Sequence, residues 1–341
     1  MGGSHVSSLT LIKLLKKRKH FNILIGIHKK GIFKTYCEKN KIPFIFLNKD
    51  FFSNSNKFLT NLLNLIINLR FFYKFLKSNN FDIIHINDYR MLNTWTMLSY
   101  VLKIKKIIFH QRNPMPSSKW IKLNLRYVSK IISISKFVNS SLSKKLKDKS
   151  ILIYNPIKEI KIQSKPKKNI IGFVGTYTER KRPEIFFKFA KKLILDNSKF
   201  KFIFIGYISD KNIRNVFEQF PSLKEKIFFS GFRNNPYPLI QCCKLLICPA
   251  KNEGFGRVPL EAGYLNVPSI VSNSGGHKEF VKNKLCLFAK GNTENAYLKI
   301  YKKVLNTKVS KILIKNIIKF NKNYTLPSIH LKKVISIYLM N

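Results

Sequence analysis

Short segments rich in β-branched and aromatic residues alternate with helical stretches along the whole chain, and this alternation constrains the fold more than any other feature. One series of strand-like segments falls at 22–27, 43–47, 82–86, 106–109, 130–134 and 150–154. A second falls at 169–174, 200–205, 226–230, 244–248 and 269–271. Strands separated by helices demand parallel sheets covered on both faces. The expected fold class is therefore α/β, with two doubly wound, Rossmann-like domains facing across a cleft. The polar, lysine-rich stretch 157–168, with Pro166, is the expected linker. Domains are expected at 1–160 and 161–318, with a basic helical tail at 319–341 packing back on the first. Ligands of such sheets bind outside the carboxyl ends of the strands.

The start of the chain breaks the pattern. Gly2-Gly3-Ser4-His5 runs directly into an amphipathic helix carrying Val6, Leu9, Ile12 and Leu15. A glycine turn of this kind normally follows a first strand, so the first strand of the N-terminal domain is expected to be missing, through a start assigned about 15 residues late.

The 341 residues are ample for two cores, and 45% hydrophobic with 13% aromatic content is a globular composition. No apolar run reaches the roughly 18 residues of a membrane span. The nearest, 58–73, carries asparagines at helical spacing opposite Leu59, Leu62, Leu63, Ile66 and Leu69, and reads as an amphipathic helix on a soluble domain. Cys37, Cys242, Cys243, Cys248 and Cys286 lack zinc spacing, consistent with reduced thiols in a cytoplasmic protein. The net charge of +48 first suggests nucleic acid. Of 64 basic residues only 10 are arginine, however, and the lysines are spread throughout, without a base-reading motif. The joint abundance of lysine, asparagine, isoleucine and phenylalanine reads first as the compositional drift of an AT-rich genome and second as attraction to an anionic membrane face. No specific nucleic-acid partner is expected.

Against this basic background, three of the ten glutamates fall between Glu253 and Glu279. The run Glu253-Gly254-Phe255-Gly256-Arg257-Val-Pro-Leu-Glu261 follows a buried strand and opens a helix. Its glycines let backbone N–H groups approach an anion at the helix's positive end. The flanking carboxylates suit sugar hydroxyls as acceptors. Together they suggest a site for a phosphorylated sugar.

The same run resembles the E-x7-E signature of retaining glycosyltransferases of family 4, which have the GT-B fold. Val267–Ser272 followed by Gly275-Gly276-His277-Lys278-Glu279 is similar to a further family run, as are Ile171–Gly175, Phe202–Gly206, Asp82–His85, Ile131–Ser135 and Ile153–Pro156. The resemblance spans about residues 2–305. It implies that Glu253 contacts donor-sugar hydroxyls and Glu261 the nucleotide ribose. Gly254, Phe255 and Gly256 would approach the donor's sugar or phosphates, with Gly2 and Gly3 reaching the diphosphate from the other domain. His110 would lie near the transferred sugar, and Arg112 beside it would meet acceptor or phosphate. Lys181 matches the family's diphosphate lysine. The arginine that usually precedes it is replaced by Thr176, leaving Arg180 or Arg182 to substitute, and a family glycine is replaced by Arg182.

The implied activity is retaining, metal-independent transfer, without a cofactor, from a nucleotide-diphosphate sugar to a glycan or lipid-linked saccharide acceptor. Surface polysaccharide or lipopolysaccharide biosynthesis, at the cytoplasmic membrane face, is the implied setting. The alternatives are another GT-B nucleotide-sugar enzyme, such as an epimerase or phosphorylase, and a polyanion-binding protein.

Overall fold

The computed structural model describes residues 2–47, 58–160 and 168–340. The chain divides into two compact units, Met1–Pro156 with Pro327–Asn341, and Ile157–Leu326. The division falls after Pro156, and 319–326 stay with the second unit. Residues 161–167, with Pro166 of the expected linker, lie outside the described residues.

In the first unit, β1 (Gly26–Ile27) pairs with β2 (Ile45–Phe46) in a two-stranded sheet among the described residues. A separate parallel sheet runs β3 (Ile83–Ile86), β4 (Lys106–Gln111), β5 (Lys130–Ser133) and β6 (Ser150–Leu152) in chain order. The sheet is thus divided, and helix Gly3–Leu15 serves both parts: Leu9 packs with Ile25 and Ile27, while Leu11 and Leu15 pack with Ile108, Ile132 and Ile153. Helix Pro327–Leu339 joins the same core through Leu331, Val334, Ile337 and Tyr338. The helix after β5 starts where Ser135 Oγ accepts from Val138 N–H at 3.0 Å, an ordinary serine N-cap.

Helix Phe58–Asn79 differs from its sequence reading. Its inward face is Asn68, Phe72 and Leu76, all buried, with Phe72 edge-on to Trp95 at 5.2 Å. Of the residues expected on the core side, Leu62 packs against the core, whereas Leu59, Leu63, Ile66 and Leu69 are exposed. Periodicity found the helix but chose the wrong stripe, because Leu, Ile and Phe occur on both sides of it. Among the described residues no helix is long and apolar enough to cross a membrane.

The second unit is one unbroken parallel sheet built from β7 (Ile170–Val174), β8 (Lys201–Ile205), β9 (Ile227–Phe229), β10 (Leu245–Cys248), β11 (Ser269–Ser272) and β12 (Leu287–Ala289). The order is β12-β11-β10-β7-β8-β9, a doubly wound arrangement whose switch point lies between β7 and β10. Its core is markedly aromatic: Phe173 and Phe204 stack at 4.8 Å beneath Phe186 and Phe187 of helix Pro183–Leu195. Fully burying each such ring contributes roughly 1.5–3 kcal/mol. Strands buried on both faces account for their nearly continuous apolar sequence.

Candidate functional site

The switch point brings together the loops that leave β7 and β10. The β10 loop carries Glu253, and the β7 loop carries Thr176, Arg180 and Lys181. Arg180 Nη1 donates to Glu253 Oε2 at 2.5 Å, and Lys181 Nζ donates to the same oxygen at 2.9 Å. Lys251 N–H donates to the Arg180 carbonyl at 2.8 Å, tying one loop's backbone to the other's. Burial alone raises a carboxyl pKa, but Lys181, Arg180 and His277 overcome it and hold Glu253 down at about 2.

Glycines set the backbone around this carboxylate. Gly256, at φ 86°, precedes helix Arg257–Tyr264, whose start has no side-chain cap. A Cβ at Gly256 would stand 2.6 Å from the His277 ring. A Cβ at Gly275, at φ 60°, would stand 2.6 Å from the backbone N and O of Glu253, and one at Gly276 2.7 Å from the Gly254 carbonyl. Gly276 N–H donates to the Glu253 carbonyl at 2.7 Å. Gly254 and Phe255 are buried, and the Phe255 ring stands edge-on to Phe280 at 5.6 Å. A small cavity of about 20 Å³ beneath the loop is lined by Lys181, Glu253, Gly256, Arg257, Val258 and His277. The start of helix Arg257–Tyr264, two cations and a carboxylate thus meet at one strand end, a combination suited to phosphate and hydroxyl together.

Lys181 and Glu253 are therefore adjacent, and of the two candidate arginines it is Arg180 that pairs with Glu253. Arg182 sits in the left-handed region at φ 50°, and its Nη1 donates instead to Asn292 Oδ1 at 2.8 Å. Thr176 is exposed, and its carbonyl accepts from Thr178 Oγ1 at 3.5 Å. Glu261 is buried one turn into the helix, and Arg257 occupies its Oε1 from Nε at 3.1 Å and Nη2 at 2.7 Å. The i,i+4 spacing of Arg257 and Glu261 was the available signal for that pair.

Two further residues carried no assigned role in the sequence reading. His277 is buried against the cradle, with Nδ1 3.1 Å from Ser272 Oγ, and burial lowers its pKa to about 4 although Glu253 opposes the shift. The Tyr237 hydroxyl is pushed up to about 12 by burial and by the charge of Glu261.

In the first unit, His110 is wholly buried at β4. Its Nδ1 lies 3.2 Å from His85 Nε2, its ring stacks on His330 at 5.8 Å, and its Nε2 has no hydrogen-bond partner. His85 Nδ1 in turn lies 2.6 Å from the Tyr338 hydroxyl. Arg112 is buried beside them, donating to Asn155 Oδ1 and Asn87 Oδ1, each at 2.8 Å. Burial, then the Arg112 charge, lowers the pKa of His85 to about 3 and that of His110 well below its ordinary value. Both imidazoles are neutral near pH 7. Gly2 caps helix Gly3–Leu15 at φ −75°, an angle open to any residue, and a Cβ there would meet nothing within 4 Å.

Fold and site together define the class, a GT-B glycosyltransferase fold with its residue cluster at the switch point of the second unit. Residues 156–320 match the family described as glycosyl transferases group 1. An uncharacterized glycosyltransferase of Methanocaldococcus jannaschii is 26% identical over 222 residues, covering 63% of this chain and 60% of its own length. The capsular polysaccharide biosynthesis glycosyltransferase CapH of Staphylococcus aureus is 24% identical over 292 residues, covering 80% of this chain and 78% of its own. Among solved structures, HepE of Anabaena in complex with UDP and glucose superimposes with a TM-score of 0.78 at 17% identity, covering 98% of this chain and 95% of its own.

Proposed function

We propose that the chain is a retaining, metal-independent glycosyltransferase of family 4. It takes a sugar from a nucleotide-diphosphate donor to a glycan or lipid-linked saccharide, as in capsular or lipopolysaccharide assembly, at the cytoplasmic face of a membrane. The observation that carries this reading is Glu253, held by Arg180 and Lys181 over the glycine cradle. Without donor, one carboxylate neutralises two cations. When a diphosphate arrives, Arg180 and Lys181 transfer to its oxygens, and Glu253 is released to accept hydrogen bonds from sugar hydroxyls. In the transfer, the bond from the anomeric carbon to the diphosphate oxygen breaks, a bond to the acceptor oxygen forms, and the acceptor's hydroxyl proton passes to the departing diphosphate. The two cations and the N–H groups at Phe255 and Gly256 stabilise the charge that grows on the leaving diphosphate. Glu261, steadied by Arg257, is the candidate for the ribose. The first unit is assigned to the acceptor, with Arg112 as its candidate group and His110 as the candidate near the transferred sugar.

A thermal-shift panel of UDP-, GDP- and ADP-sugars tests the donor assignment, beginning with UDP-sugars because HepE was solved with UDP. One nucleotide series is expected to stabilise the protein. With the acceptor identified, Glu253→Ala is expected to lower transfer at least ~100-fold. Undiminished turnover by that variant would remove Glu253 from the site.

A further inference from the structure

Helix Phe58–Asn79 turns apolar side chains to solvent on a scale found nowhere else among the described helices. Leu59 is 71% exposed, Leu63 59%, Ile66 59% and Ile67 74%, with Leu69, Phe71 and Tyr73 also exposed. Their exposure is not a failure of the helix to pack, because Asn68, Phe72 and Leu76 anchor its other side.

Charge completes the pattern. Leu59, Leu63, Ile66, Arg70, Lys74 and Lys77 recur at intervals of three and four and so form one outward stripe. Its first half is apolar and its second half cationic. Arg70, Lys74 and Lys77 are all exposed, and Lys77 lies 5.8 Å over the Tyr73 ring. The 22-residue helix contains no acidic residue. A second copy of this face would set these cations against their own kind, which disfavours self-association.

We propose that this stripe is a membrane-docking surface, which lies in the interface of an anionic lipid bilayer with Leu59, Leu63, Ile66 and Ile67 inserted among the acyl chains. Arg70, Lys74 and Lys77 then lie at headgroup level, their aliphatic stems along the apolar boundary and their charges on lipid phosphates. This goes beyond attraction of a basic protein to a negative surface, because the apolar half supplies a term that salt does not screen. It stands independently of sugar transfer by the second unit.

The test is flotation of the full chain with vesicles of phosphatidylglycerol and phosphatidylcholine at roughly 3:7, and with phosphatidylcholine alone. The wild-type chain is expected to float with the anionic vesicles and to retain part of that binding at about 0.5 M salt. Leu63→Ser combined with Ile67→Ser is expected to lower partitioning at least about ten-fold and to abolish the salt-resistant part. Both positions are exposed, and an unchanged melting temperature with an unchanged nucleotide-sugar shift would establish that the variant is folded. Arg70→Gln with Lys74→Gln and Lys77→Gln is expected to remove the preference for anionic over neutral vesicles. Three results overturn the proposal: equal flotation of the double serine variant and wild type, complete release of wild type by salt, or a wild-type dimer that the serine variant abolishes while vesicle binding persists. None bears on transfer to a soluble acceptor, so this proposal and the transferase reading fail separately.

Discussion

Two helix starts in this molecule look alike in sequence and differ in what surrounds them. At Gly256 a single added carbon meets His277 at 2.6 Å on a left-handed backbone, whereas at Gly2 it meets nothing within 4 Å on an ordinary one. The same contrast holds between the units at large. In the second, glycines, an imidazole and two cations are packed around one carboxylate on an unbroken sheet. The first has a divided sheet and a helix whose apolar stripe faces outward. Glycine before a helix therefore signals a built backbone cradle only where something presses on it.

The largest expected effect tests that contrast directly. Gly256→Ala combines backbone strain with a steric clash and is expected to cost about 3 kcal/mol in a denaturant titration. Gly2→Ala is expected to fall within about 0.5 kcal/mol of the parent. Equal costs would break the comparison.

Acid unfolding separates the units by their histidines. The folded values of His85, about 3, and His277, about 4, lie below the ordinary 6.5, and His110 is lowered as well. As pH falls below 6.5 the unfolded chain takes up protons that these buried rings refuse. Stability that is complete above that value is then lost progressively toward pH 4 and 3. His85→Gln is expected to flatten the dependence of the melting temperature over this range more than any surface histidine change. Glu253 acts in a lower window, from 4.5 down to about 2, where protonation removes its pairing with Lys181 and Arg180. Glu253→Gln is expected to remove that lower window and to push the His277 value further down, because Glu253 opposes its shift, while leaving the His85 part unchanged.

Smaller still is the effect of Arg182. Its left-handed backbone costs an arginine roughly 1 kcal/mol more than a glycine. Arg182→Gly is expected to be neutral or to stabilise by up to about 1 kcal/mol. In nucleotide-sugar thermal shifts, Arg180→Ala should weaken binding while Arg182→Gly should not, because only Arg180 reaches Glu253.

The legible parts of this molecule were local. Strand-forming residues such as Phe202–Ile205 announce themselves wherever they lie, and Glu253 with its glycines occupies one short loop. The choice between Arg180 and Arg182 was not local in that sense, because it depends on a left-handed residue that turns one side chain to Glu253 and the other to Asn292. The outward stripe of helix 58–79 was hidden for another reason. Periodicity specifies a face, but with Phe72 and Leu76 opposite Leu63 and Ile67 there were two apolar faces to choose from. His277 stood in a run recognised for its glycines, and its packing against Gly256 follows from a tertiary approach that spacing does not encode.

Helix Pro327–Leu339 completes the first unit, with Tyr338 against His85 and His330 Nδ1 2.9 Å from the Tyr154 carbonyl. During synthesis, the first unit therefore begins to emerge before the second yet cannot close its core until after it. Residues 157–326 are free to fold as an uninterrupted segment, while Ile108, Ile132 and Ile153 wait for Leu331 and Val334. A free chain ending at residue 326 would hold a finished second unit and an open first one.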